Sequence, residues 1–118
     1  MPIVFVISRD WTLRVTVRAE LLHEGIEALG MESVEDAARA LAQGKIPSAI
    51  VLDAAEADAT PSTRAALTHL ARRIPIVAVA SRVESAAPLE GAAALVHRPV
   101  RVSEIVARVK QLLAGQAT

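Results

Sequence analysis

Cysteine and tyrosine are both missing from this chain of 118 residues, and its aromatic side chains are one phenylalanine, Phe5, and one tryptophan, Trp11. Without thiols there is no disulfide framework, no thiolate nucleophile and no cysteine-built zinc site. Net charge is missing as well: 13 Lys and Arg balance 13 Asp and Glu. The field that would draw a polyanion or an anionic bilayer is therefore lacking, and neither nucleic acid nor membrane is expected as a partner. Long apolar runs are also absent. The stretches Ile3 to Ile7 and Ile76 to Ala80 fall far short of the ~20 residues that span a bilayer. No basic segment followed by an apolar one opens the sequence as a secretory signal would, so the expected location is cytoplasmic. Gly44 and Gly91 belong to no GxGxxG or GxxxxGK[ST] pattern, which gives no support to a dinucleotide or P-loop nucleotide site.

What the chain does contain is apolar material: 53% hydrophobic residues against 22% charged. That balance excludes an intrinsically disordered polymer, and the length suits one domain with one core. Apolar runs of strand length alternate with segments of helical spacing, which is the pattern of an α/β fold. Ile3 to Ile7, Ala49 to Leu52 and Ile76 to Ala80 read as parallel strands buried on both faces. Gly25 to Leu29 and Ala93 to Val96 are weaker strand candidates. Leu13, Val17, Leu21 and Leu22 define a first helix, capped by Asp10 or Thr12 and running to about Glu24. Ser33 and Asp36 resemble a capping box, followed by Val34, Ala37, Ala38 and Leu41 on one face and ended by Gly44. Thr60-Pro61 starts a third helix with Ala66, Leu67 and Leu70 inward. Ser103 opens a last one, with Ile105, Val106, Val109, Leu112 and Leu113 repeating until Gly115. Only Arg82 to Gly91 makes a poor helix, interrupted by Pro88.

Ligands of an open parallel sheet bind beyond the carboxyl ends of its strands. The residues at those ends are Ser8, Arg9 and Asp10, then Asp53, then Ser81, then Arg98 with Pro99. This order resembles the receiver domain of two-component response regulators, in which an acidic pair follows the first strand, a phosphoacceptor Asp ends the third, a Thr or Ser ends the fourth and Lys-Pro follows the fifth. The resemblance runs from Pro2 to about Leu113. The spacings from Arg9 to Asp53 and from Asp53 to Ser81 fit the family, while that from Ser81 to Arg98 is several residues shorter than usual. What it implies is a single receiver-like domain over residues 1–118: a flavodoxin-like (βα)5 doubly wound fold, parallel strand order 2-1-3-4-5, with a shortened fourth helix.

The departures from the family decide the functional expectation. Receivers phosphorylate their Asp with Mg²⁺, a hard cation that needs carboxylate oxygens. Here Ser8 and Arg9 stand at the positions of the acidic pair, and the Arg9 guanidinium puts a fixed positive charge where the cation would bind. Asp10 is expected to cap the first helix. Asp53 keeps the phosphoacceptor position and is expected in an ion pair with Arg9, Arg98 or both. Arg98 replaces a flexible ammonium with a planar fork, Ser81 matches the switch hydroxyl, and Leu95 stands where the family has an aromatic switch. The expected function is that of a degenerate, Mg²⁺-independent, unphosphorylated receiver in two-component (phosphorelay) signalling. Such a chain is not an enzyme; it has no cofactor, metal or catalytic residue, and acts by binding a protein partner, a kinase or an output domain. Leu89, Leu95 and Val102 suggest a homodimer through the last helix and fifth strand. Two alternatives remain: a receiver phosphorylated at Asp53, with Arg9 and Arg98 supplying the metal's charge, and a small anion-binding domain or enzyme using Arg9, Ser81 and Arg98. Trp11 reads either as a partner anchor or as a plug over the strand ends. His23, His69 and His97 lack metal-ligand spacing, and Arg64, Arg72, Arg73 and Arg82 read as a solvated face.

Overall fold

Five consecutive β-branched or aromatic residues, with no polar side chain among them, form β1 (Ile3–Ile7), an interior strand of a parallel sheet. The computed structural model describes residues 2–53, 61–80, 93–97 and 101–116. Within them β1 is followed by α1 (Trp11–His23), β2 (Glu27–Met31), α2 (Val34–Ala42), β3 (Ala49–Asp53), α3 (Pro61–Ala71), β4 (Ile76–Ala80), β5 (Ala94–His97) and α4 (Val102–Gln116). The strand order is β2-β1-β3-β4-β5, every pair parallel. That is the expected α/β, flavodoxin-like arrangement. The expected short helix over Arg82 to Gly91 lies outside the described residues.

Alternation along the strands splits the core in two, because successive side chains of a strand point to opposite faces. Val4, Val6, Val51, Val77 and Val79 pack with Val17 and Leu21 of α1 and Ile105, Val106 and Val109 of α4. Phe5, Ile7, Ile50, Leu52 and Ile76 pack with Val34, Ala37 and Ala40 of α2 and Leu70 at the end of α3. A run apolar on every residue is therefore required in the central strands, and β3 and β4 are buried throughout.

Several boundaries differ from the sequence expectation for local reasons. Gly25 takes φ of 77° and, with Ile26 N–H bonded to Leu21 O at 2.9 Å, closes the C-terminus of α1, so β2 starts two residues later than expected. Leu22 is 46% exposed: Leu13, Val17 and Leu21 follow one stripe at i, i+4 and i+8, and residue 22 lies about 100° away from it. On α2 the inward stripe takes Ala40, and Ala38 faces outward. Gly115 does not end α4, which starts at Val102 and runs to Gln116, whose Nε2 donates to Ser48 O at 2.8 Å. Val102, expected on an uncovered patch, is half-buried against the α1–α4 core; Leu89 and the side chain of Leu95 lie outside the described residues.

Candidate functional site

The register of β1 and β3, with Ile7 beside Leu52, brings the next residues, Ser8 and Asp53, together at the carboxyl end of the sheet. Both are buried, Ser8 completely and Asp53 to 7% exposure, and they are the buried polar residues of the described chain. The Ser8 hydroxyl donates to Asp53 Oδ2 at 2.9 Å and accepts from the backbone N–H of Asp10 at 3.0 Å. Ser8 N–H donates to Met31 O at 3.0 Å, and Arg14 Nη1 donates to Ser8 O at 2.7 Å. Every polar atom of Ser8 is thus engaged, linking β1 to β2, β3 and the start of α1. Among the described residues no buried side-chain nitrogen or oxygen lacks a partner.

Asp10 is the N-cap of α1: its Oδ1 accepts from the N–H groups of Thr12 at 3.1 Å and Leu13 at 3.3 Å. Its Oδ1 is committed to the helix terminus, where the carboxylate also complements the helix dipole. Arg9 is exposed on the loop between Ser8 and Asp10. Ser81, Arg98 and Pro99 lie outside the described residues.

Two residues join the site that sequence spacing does not signal. Arg14 reaches Ser8 only because Gly30 of β2 has no side chain; a Cβ there would meet Arg14 Cγ at 3.0 Å and Cδ at 3.2 Å. One turn on, Arg18 Nε donates to Ala28 O at 3.0 Å on the outer edge of β2, occupying a carbonyl that could otherwise template another strand. Each contact joins a helix to a strand that folds back beside it, so no local pattern could have announced it. Trp11 opens α1 at 66% exposure, with Val15 beside it one turn later at 40%. It does not plug the strand ends.

The divalent cation implied by the receiver resemblance does not fit this donor set. A hydroxyl and a guanidinium stand in place of two carboxylates, the hydroxyl is already donor and acceptor, and Asp10 Oδ1 is bound to two amides. Among the described residues no group of three or more His, Cys, Asp or Glu could hold a metal ion. His23 and His69 are exposed, and the side chain of His97 lies outside the description. No helix among the described residues is long and apolar enough to cross a membrane.

No family model and no curated protein matches the chain. Solved structures do. A CheY-like receiver domain protein from Methanospirillum hungatei JF-1 superposes with a TM-score of 0.81 at 15% identity, over 99% of this chain and 97% of that one. The receiver domain of the Francisella response regulator 1452 gives 0.78 at 17%, over 98% and 99%. A response regulator receiver protein from Burkholderia phymatum gives 0.74 at 20%, over 97% and 96%. At these identities the likeness concerns the fold, and the fold of this chain is that of response regulator receiver domains.

Proposed function

We propose that residues 1–118 form one degenerate receiver domain of two-component signalling, which works without Mg²⁺ and without phosphoryl transfer to Asp53, as a protein-interaction module and not as an enzyme. The carrying observation is the 2.9 Å hydrogen bond from Ser8 to Asp53 Oδ2. Where the resemblance calls for a carboxylate that would help hold a cation, a hydroxyl donor instead occupies one of the two oxygens of Asp53. A nucleophilic carboxylate needs an accessible oxygen and a charge-neutralising cation on the phosphoryl group. In this reading Arg9 and Arg98 are counter-ions of Asp53, and Ser81 and Pro99 complete the wall of an inert pocket. A protein partner, a kinase or an output domain in the cytoplasm, engages the Trp11–Val15 face of α1, since exposed tryptophan beside arginine is the composition of binding hot spots.

The test is incubation with Mg²⁺ and acetyl phosphate followed by intact-mass analysis in the cold. An unmodified mass is expected. A labile, Mg²⁺-dependent phosphate mapped to Asp53 overturns the reading. In parallel, Ser8→Ala removes a donor from a buried carboxylate and should lower stability by about 1 to 3 kcal/mol in urea melts.

A further inference from the structure

At the other end of the α2–α3 layer, away from Asp53, the surface opens into a groove of about 500 Å³. Its floor is apolar, made by Leu41, Leu70 and Ile74. Alanines leave it open: Ala38 and Ala42 form one wall at i and i+4 on α2, and Ala66 faces them from α3. At its lip Ile46 is 63% exposed in the loop that follows Gly44. Buried aliphatic residues beneath, a large exposed aliphatic beside, and side chains too small to close the seam make this an apolar concavity suited to helix-in-groove recognition.

The charge around the groove is one-sided. His69 and Arg73 line it, Lys45 precedes Ile46 at the lip, and among the described residues no carboxylate lines it. The nearest acids along α2 lie one turn before the groove: Asp36 is 3.3 Å from Arg39, and Glu35 has an interaction of its own. In a chain whose 13 basic and 13 acidic residues cancel, a rim whose charged and titratable lining groups among the described residues are cationic or imidazole is complementary to an anionic occupant.

We propose that the α2–α3 groove binds an acidic amphipathic helix of a partner protein, its apolar stripe seated between the Ala38–Ala42 and Ala66–Leu70 walls and its carboxylates meeting Arg73, His69 and Lys45. This rests on the reading of the chain as a protein-interaction module and names a second surface for it, remote from Trp11.

A photo-crosslinking residue placed at Ala42, at Ala38 or at Val15 in the chain expressed in its own cells tests this, with adducts sequenced by mass spectrometry. Two groove positions guard against one variant failing to fold. Expected are adducts from Ala42 and Ala38 on helical segments with apolar residues at i and i+4 flanked by Asp or Glu. Their yield should fall about tenfold in an Arg73→Glu background while the melting temperature holds. Absence of groove adducts, adducts on basic segments or on a second copy of this chain, or a yield indifferent to Arg73→Glu each overturns the proposal. Adducts from Val15 with none from the groove overturn the groove and leave the module reading standing; adducts from neither surface overturn both.

Discussion

The two helical layers are built on opposite faces of one sheet and close differently. Between α1 and α4 Leu13, Leu112 and Leu113 are half-buried against the valine core, and the seam leaves a smaller, largely polar groove of about 270 Å³ lined by Glu20, Glu24, Ser103 and Lys110 with Val106 and Ala107. Lys110 Nζ lies 3.4 Å from Glu24 Oε2 across it. Between α2 and α3 the corresponding positions hold Ala38, Ala42 and Ala66, and the seam stays open as a groove. The described inner residues of both layers are buried, so what separates the two faces is the outer seam: small, polar and bridged by an ion pair on one side, larger and apolar on the other.

Truncation at matched depth is the strongest way to break that comparison. Ile105→Ala, in the α1–α4 layer at 0% exposure, should cost about 2 to 5 kcal/mol, since it leaves a cavity among fully buried neighbours. Leu70→Ala, at 6% exposure and lining the groove, should lie at or below the lower end of that range, because water already reaches the space it vacates. Equal losses in urea melts would mean that the groove closes in solution.

Enlargement on a single helix gives the next largest effect and should change sign between two positions five residues apart. Ala37 is fully buried, and Ala37→Leu overpacks it for a loss of about 1 to 3 kcal/mol. Ala42 faces the groove, and Ala42→Leu should be neutral or gain up to about 1 kcal/mol by covering Leu41 and Ile74. Thermal melts of the two variants separate these outcomes.

A subtler sign change is expected where α1 crosses β2. Gly30→Ala should destabilise the wild type, because the added methyl displaces the Arg14 stem and with it the bond to Ser8 O. In an Arg14→Ala background the same substitution should stabilise by about 0.4 to 1 kcal/mol, through a less flexible unfolded chain. A double-mutant cycle reads the difference. The smallest effect belongs to the pair that crosses the α1–α4 seam: Glu24 and Lys110 are 40% and 52% exposed at their side chains, so their coupling should stay under about 1 kcal/mol and shrink with added salt.

How far the sequence could be read depended on whether a feature is local. The apolar runs of β1, β3 and β4, the Ser33 cap of α2 and the Asp10 cap of α1 follow from residue type and spacing, because burial on both faces and unsatisfied helix N–H groups make demands that neighbouring residues alone can meet. β2 was displaced by two residues because Gly25 serves as the helix stop, a role set by a positive φ and not by apolar pattern. The candidate site was legible as an address and not as a bond. Asp53 and Ser8 could be placed at strand ends.

That Ser8 donates to Asp53, that Arg14 passes over Gly30 to hold Ser8, and that Trp11 stands in solvent were decided by tertiary structure, since each depends on the angle at which a helix returns across the sheet. The groove shows the same division. Ala38 and Ala66 read in sequence as inward-facing positions, and only the separation of two helices far apart along the chain turned them into walls of an open seam. Periodicity states which side of an element is apolar; what that side meets is set by long-range packing, for which no local interaction carries the information.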